Sequence, residues 1–376
     1  MRLAIIRQRY NPYGGAERFI ERAAAALAGR LSLTVYAREW KGSGTARVVL
    51  CAPFFVGRLW RDASFSSRVC RMLAPENFDL VQSHERLGCC DIYRAGDGVH
   101  AAWLERRGRG LGRLRRLAMY LNPYHRYVMA AERRVFEGAR LKAVICNSRM
   151  VRDEIGLRFA IDADKLHVIY NGVDLQDFHP RQRALHRASR RRALTIPEDA
   201  CVFLFVGSGF ERKGVPVLIR AFARLSDQRS RLVVVGKDRA AGQMLALARR
   251  LGIADRVHFA GAQAETQSWY GIADVFVLPT LYDPFPNAAL EALACGLPVV
   301  TTRSSGVAEF IQSGVNGEIC EDALCVDELA HCMDSIISRA AGMSQAARET
   351  AERLGIDAMA NQLVGLYRKL LPGETI

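Results

Sequence analysis

The sequence predicts an α/β protein built from two doubly wound parallel sheets in tandem. Three observations carry this. The chain has 376 residues, more than one ordinary hydrophobic core organises, so two domains are the natural division. Its apolar runs are short and rich in Val, Ile and Leu without strict alternation, as in strands covered on both faces, and helical patterns lie between most of them. The pattern also stops over a polar, Arg-rich, strand-poor stretch, residues 174–199, and then restarts.

In the first half the candidate strands are "RLAIIR" (2–7), "SLTVYA" (32–37), "RVVLC" (47–51), "FDLVQSH" (78–84), "DIYRA" (91–95), "KAVICN" (142–147) and "LHVIYN" (166–171). Helical periodicity falls between them, for instance over residues 17–29 and 150–160. In the second half they are "VFLFVG" (202–207), "RLVVVG" (231–236), "RVHFAG" (256–261), "DVFVLP" (274–279), "PVVTT" (298–302) and "GEIC" (317–320). The final stretch, "IDAMANQLVGLYRKLL" (356–371), is an amphipathic helix. Ligands of such sheets bind beyond the carboxyl ends of the strands, so the turns there hold the functional candidates.

Composition narrows the class. No run of 18 uninterrupted apolar residues occurs, so no membrane-spanning helix is predicted. The start, "MRLAIIRQRYNPYGG", carries arginines inside its apolar segment and breaks at Pro12, so a cleaved signal peptide is not expected. Ten cysteines are scattered without a C-x-x-C pair or a zinc-like His/Cys cluster, and read as buried reduced thiols. Net charge is +14 and uneven. Residues 101–140 hold ten Arg against three Glu, and residues 181–192 hold six Arg and no acid. Such clustering points to an anionic partner (nucleic acid, an acidic lipid surface or a phosphorylated substrate), or, over 181–192, to a solvated linker.

The first turn, "RQRYNPYGGAERF", places Gly14 and Gly15 before a helix, where backbone can approach a phosphate at the helix N-terminus. The corresponding turn of the second half is "LFVGSGFERKGVPVLIRAF". Gly207 and Gly209 begin the dinucleotide pattern G-x-G-x-x-G, but its third glycine is replaced by Arg212, followed by Lys213. That removes the close helix–strand packing the third glycine provides, although Asp238 stands where a ribose-binding acid belongs. Two cations near a helix start suit a diphosphate; a solvated helix turn is the alternative. In "LPTLYDPFPNAALEALACGLPVVTT", Asp283 is followed eight positions later by Glu291, with Pro284, Phe285, Pro286 and Asn287 forming the loop between strand and helix. Carboxylates there can accept hydrogen bonds from sugar hydroxyls and a ribose diol. The D-x-D of Asp162 and Asp164 precedes a strand and reads as an ordinary turn, so no metal is predicted.

Taken together, the acid-x7-Glu motif with "EALACGLPVV", the "GSGFERKG" turn, "YNGVD" (170–174) and "YGGAER" resemble the family 4 glycosyltransferases of the GT-B fold. The resemblance covers essentially the whole chain. Within the family, "RQRYNPYGGAERF", "CDIYRAGDGVH" and "YHRYVMAAERRVFEG" are most similar to the lipopolysaccharide core glucosyltransferase type. It implies two Rossmann-like domains facing a cleft: residues 1–174 binding the acceptor, 175–355 binding a nucleotide sugar, and 356–376 returning to the first domain. It implies transfer of a hexose, best guess glucose from UDP-glucose, to a lipid-linked and phosphorylated acceptor, with retention of configuration and without cofactor or metal. Arg212 and Lys213 match the residues that neutralise the diphosphate, and Glu291 the acid on the donor ribose. The loop of Asp283, Phe285, Pro286 and Asn287 matches the part that cups the sugar, and Gly14 and Gly15 meet the phosphates from the opposite wall. The family usually has Glu where this chain has Asp283. On the acceptor side, Asp97 and His100 of "RAGDGVH" are the candidates, Asp97 to orient or deprotonate the incoming hydroxyl.

The lipid-linked acceptor implies peripheral attachment to the inner face of the cytoplasmic membrane. Arg106, Arg107, Arg109, Arg113, Arg115 and Arg116 lie among Trp103, Tyr120, Tyr124 and Tyr127, a composition that suits an anionic membrane interface. Two readings of other classes compete. A sugar-nucleotide epimerase would need neither a second acceptor nor a basic surface. A non-catalytic nucleic-acid binder is favoured by charge alone and lacks a recognisable reading module.

Overall fold

The computed structural model describes residues 1–9, 32–40 and 47–371. The helical pattern at 17–29 and the Gly14–Gly15 turn lie outside them. The chain divides into two compact units, Met1–Asn171 together with Ile356–Ile376, and Gly172–Gly355.

In the first unit the elements run β1 (Arg2–Ile6), β2 (Ser32–Ala37), β3 (Arg47–Leu50), α1 (Gly57–Leu73), β4 (Leu80–Ser83), β5 (Ile92–Arg94), α2 (His100–Arg109), α3 (Arg113–Leu121), α4 (Pro123–Phe136), β6 (Ala143–Cys146), α5 (Arg149–Arg158) and β7 (Leu166–Val168). The strands form one parallel sheet of order β3-β2-β1-β4-β5-β6-β7. The local signals for the helices are conventional. Asn122 accepts the Tyr124 N–H at 2.9 Å with Pro123 in the first turn of α4, and Ser148 Oγ accepts the Val151 N–H at 3.2 Å to cap α5.

The second unit runs α6 (Arg181–Ala193), β8 (Val202–Val206), α7 (Val215–Phe222), β9 (Arg231–Val235), α8 (Ala241–Arg250), β10 (Val257–Gly261), α9 (Gln267–Ile272), β11 (Val275–Leu278), α10 (Asn287–Ala294), β12 (Val299–Thr302), β13 (Gly317–Cys320), α11 (Val326–Ile337) and α12 (Ser344–Glu352). Its parallel sheet has the order β10-β9-β8-β11-β12-β13. This is the doubly wound order, whose direction of winding reverses between β8 and β11. All thirteen strands lie within the segments read from sequence.

The last helix, α13 (Ile356–Leu370), belongs to the first unit. Ile356, Met359, Leu363, Leu366 and Tyr367 sit in one core with Leu3, Ile5, Leu80, Ile92 and Ile145 of the sheet. The Tyr367 hydroxyl donates to Gln82 Oε1 at 2.7 Å, and Gln82 Nε2 lies 3.2 Å from His84 Nε2. These polar atoms are buried, and pairing avoids the cost of burying them unpaired.

Two sequence expectations need correction. The ten cysteines are not all thiols. Helix α1 packs so that Cys70, in its last turn, comes within a Cα separation of 5.8 Å of Cys89, and the two are joined. The other eight are free, all but Cys325 buried. Nor is the Arg run at 181–192 a solvated linker. Its Arg, Ala and Leu are good helix formers, and α6 lies against α9 closely enough that a Cβ on Gly271 would meet the Gln182 carbonyl oxygen at 2.3 Å. Arg183, Arg187 and Arg191, spaced one turn apart, all reach Asp274 at 3.1, 2.9 and 2.6 Å. Arg191 is only 2% exposed and donates also to the carbonyls of Ile272, Glu198 and Ala200.

Arg191→Met keeps the aliphatic volume but strands three carbonyl groups and one edge of Asp274. A loss of about 3 kcal/mol is expected. Urea unfolding followed by tryptophan fluorescence measures it, and an unchanged midpoint would show that Arg191 is dispensable.

Candidate functional site

The turn after β8 is shaped by backbone conformation and by one aspartate. Gly209 and Gly214 have φ of +75° and +76°. At Gly214 a Cβ would also lie 1.9 Å from the Pro279 carbonyl oxygen, so the start of α7 rests directly on the exit of β11 and excludes a side chain. Asp238 does not stand free for a ribose. Its Oδ2 accepts the N–H groups of Gly209 and Phe210 at 2.8 and 3.0 Å, and its Oδ1 that of Ala240 at 2.8 Å. These bonds, the one from Ala240 foremost, hold its carboxyl below the usual range. The acid of the broken dinucleotide pattern therefore ties the glycine turn to the next strand.

Arg212 and Lys213 project from this turn just before α7. The Arg212 backbone carbonyl accepts the Leu281 N–H at 2.9 Å and the Thr280 hydroxyl at 3.2 Å, which stitches the turn to the exit of β11. Its guanidinium donates to the Tyr282 carbonyl at 2.9 Å. Both cations converge on Asp283, whose Oδ2 is 3.9 Å from Arg212 and 3.4 Å from Lys213 Nζ. Asp283 itself is buried, and its backbone is held by Ser304 O and the Gly306 N–H. Three residues named from two separate sequence motifs thus meet at the switch point between β8 and β11.

The rest of the loop is built inward. The Phe285 ring is buried and meets Phe310 edge-on at 6.0 Å between centroids, so this position can offer a ligand only its backbone. Pro286 precedes α10 and Asn287 opens it. Glu291, one turn along, accepts the Tyr270 hydroxyl at 2.8 Å. Tyr270 was not singled out from sequence; nothing in "QSWYG" distinguishes it from a core aromatic, and its ring is indeed buried.

In the first unit, Asp97 and His100 share the turn after β5. The Asp97 side chain is 71% exposed and 3.8 Å from Arg86. The His100 N–H donates to both oxygens of Glu132, at 3.0 and 3.1 Å, and Glu132, 1% exposed, pairs with Arg86 Nε at 3.0 Å. Glu132 thereby caps α2 from another helix and holds Arg86 beside Asp97. The His100 ring lies 3.0 Å, Nε2 to Nδ1, from His125 and packs on Trp103. Burial, with Arg86 and His125 as neighbours, pushes its pKa down to about 3. Arg86, Glu132 and His125 escaped the sequence reading because their roles depend on contacts across 25 to 46 residues. Asp162 precedes a short 3-10 turn, Ala163–Lys165, that contains Asp164 and leads into β7. Among the described residues no group of three His, Cys, Asp or Glu side chains could hold a metal.

Comparison with known proteins now decides the family. Residues 186–354 match the model of glycosyl transferases group 1, and residues 13–177 that of glycosyltransferase family 4. D-inositol 3-phosphate glycosyltransferase 2 of Catenulispora acidiphila is 30% identical over 336 residues, covering 81% of this chain and 75% of that protein. The chain is a family 4 glycosyltransferase. An uncharacterised glycosyltransferase of Methanocaldococcus jannaschii is 31% identical over 232 residues, but the match spans only 59% of its length. Lipopolysaccharide glucosyltransferase WaaG of Escherichia coli K12 is 27% identical over 336 residues, 88% of this chain and 87% of that one. The crystal structure of WaaG superposes with a TM-score of 0.83 at 23% identity, covering 99% and 100% of the two chains, which establishes the GT-B fold of this glycosyltransferase.

The depressed pKa of His100 has a sign that can be checked. Between about 3 and the unfolded value of about 6.5, the unfolded chain binds more protons than the folded one, so stability falls as pH drops through that window. In His100→Gln this contribution is gone, and the urea midpoint should fall less between pH 7 and pH 4 than in the parent. Equal falls would place the neutral histidine elsewhere.

Proposed function

We propose that this glycosyltransferase moves a hexose from a UDP-sugar, best guess UDP-glucose, to a lipid-linked and phosphorylated lipopolysaccharide core acceptor, with retention of anomeric configuration. The convergence of Arg212 and Lys213 on Asp283 carries the reading. The bond from the anomeric carbon to the diphosphate breaks, and the negative charge that grows on UDP meets two cations already fixed in place. Such preorganised charge favours the transition state without reorganisation at the moment of reaction. Glu291 takes the ribose hydroxyls and the Asp283–Asn287 loop takes the sugar; the acceptor hydroxyl, oriented or deprotonated by Asp97, supplies the oxygen of the new glycosidic bond. A protein of the same fold, Anabaena HepE, has been solved in complex with UDP and glucose; it superposes with a TM-score of 0.73 at 20% identity, over 98% of this chain and 99% of that one. That relative supports the choice of donor.

The deciding experiment measures UDP release from UDP-glucose and competing sugar nucleotides, with and without lipid-linked acceptor. Acceptor-dependent release is expected. Each charge-assisted phosphate contact is worth about 1.5–3 kcal/mol, so Arg212→Ala with Lys213→Ala should lose a hundredfold or more in turnover. Both residues sit in the turn before α7, outside the regular elements, and the circular dichroism spectrum should not change. Near-parental turnover in the double variant would remove the diphosphate grip.

The acceptor's lipid anchor implies that the enzyme works at an anionic membrane surface, the inner face of the cytoplasmic membrane. No helix among the described residues is long and apolar enough to cross a membrane. Helix α3 instead exposes Leu114, Leu117 and Leu121 at 84%, 57% and 60%, beside exposed Arg113, Arg115 and Arg116. Phe54 and Trp60, at the start of α1, add apolar surface. The aromatic residues named from sequence contribute differently: Trp103 packs on His100, and the Tyr124 hydroxyl donates to Asp62 at 3.0 Å. Leucines rather than tyrosines thus form the apolar part of this face. Each Arg near an anionic surface contributes about 1 kcal/mol. Changing Arg109, Arg113, Arg115 and Arg116 to Gln should release the protein from anionic vesicles in a sedimentation assay and leave UDP affinity unchanged. Equal binding of the parent to neutral vesicles would sink the electrostatic part of the docking.

A further inference from the structure

A second basic feature is not absorbed by the proposed transfer reaction. Beside α6 lies a cavity of about 540 Å³, lined by Arg183, Arg187, Arg191, Arg192, Ile196 and Glu198. We propose that it is a second anion site of this chain, taking a small dianionic phosphoryl compound.

Charge is the first argument. Three guanidiniums share one carboxylate, Asp274, and the exposed Arg192 lines the same wall. Counting Glu198 on the cavity wall, four guanidiniums face two carboxylates, an excess of two positive charges. Guanidinium remains protonated at any working pH, so this excess cannot be relieved by losing a proton. Burial and the adjoining Arg191 and Arg183 do press on the Arg187 charge, against the pull of Asp274, and lower its pKa. A dianion in the cavity would balance the excess. Bidentate donation to phosphoryl oxygens is what several guanidiniums at one wall are suited for.

Position is the second argument. The Asp274 carboxylate accepts the Val202 N–H at 2.9 Å, so it stands at the amino ends of β8 and β11. Arg212, Lys213 and Asp283 stand beyond the carboxyl ends of the same two strands. At about 3.3 Å per strand residue the two anion sites are more than about 10 Å apart. They are nevertheless joined through one short helix. Arg183, Arg187 and Arg191 donate to the Ala273 and Ile272 carbonyls at the end of α9, and α9 carries Tyr270, whose hydroxyl holds Glu291. An anion that draws on Arg183 and Arg187 therefore pulls on the helix that positions Glu291.

The test separates this site from the donor site by working in the Arg212→Ala, Lys213→Ala background, which lacks the proposed diphosphate grip. Titration calorimetry with inorganic phosphate and with pyrophosphate, in a buffer free of both, should show saturable binding of one ion per chain. Adding Arg183→Gln and Arg192→Gln, both exposed and both leaving the buried Arg191 in place, should weaken it at least tenfold without lowering the melting temperature. Binding that is absent, or that the two glutamines leave unchanged, overturns the assignment. Vesicles bearing anionic headgroups form the other arm. Vesicle binding that the two glutamines weaken, without any binding of free phosphate or pyrophosphate, overturns the free-ion site in favour of a membrane contact.

Discussion

The reversal of winding between β8 and β11 is the constraint on which the second unit depends. Neighbouring parallel strands must send their following segments to opposite sides, and the backbone leaves a gap at the carboxyl ends where they diverge. The cations and the carboxylate proposed to meet the donor stand at the rim of that gap. The turn after β8 brings Arg212 and Lys213, and the loop after β11 brings Asp283. The two are tied at the Arg212 carbonyl, which accepts the Leu281 N–H and the Thr280 hydroxyl, so the turn and the loop are held together at this point.

Three aspartates organise this unit, and each does so through different contacts. Asp238 accepts three backbone N–H groups and holds the glycine turn. Asp274 neutralises part of α6 and binds the first residue of β8. Asp283 stands between the two cations of the switch point. Asp238 and Asp274 have carboxyl groups held below the ordinary range, Asp238 by backbone donors and Asp274 by the arginines and the Val202 N–H, which outweigh its burial. Electrostatics here is therefore mainly a matter of placing backbone.

The sheets were legible in the sequence because their signal is local. Each strand is a short Val/Ile/Leu run bounded by turn residues, and a buried parallel strand needs little else. The pairing of Arg212 and Lys213 with Asp283 was legible only in part: the motifs announced themselves, while their meeting follows from topology. What stayed hidden depends on long-range contact. Arg191 was one of six arginines in a run that pointed to an anionic partner or a solvated linker, and only the approach of α6 to α9 at Gly271 shows why it is buried. Glu132 was not singled out from the sequence, yet it caps α2 from across the unit. Cys70 and Cys89 carry no spacing pattern that sets them apart from the other eight cysteines.

The aspartate at 283 alters what this position can do. A glutamate, the usual residue in the family, would carry its carboxylate one methylene farther from the backbone. Here the shorter arm leaves Oδ2 within 3.4 Å of Lys213 and 3.9 Å of Arg212. An oxygen engaged with two cations accepts less strongly from a sugar hydroxyl, but it fixes those cations more firmly. In the proposed reaction the balance of the site would thus shift from recognition of the sugar towards stabilisation of the leaving diphosphate. On that proposal, selectivity for a hexose would rest more on the backbone of the loop from Pro284 to Asn287, where Phe285 is buried against Phe310. A rigid backbone can discriminate hydroxyl positions because each N–H and carbonyl has one direction, and an unmatched polar group buried there is costly.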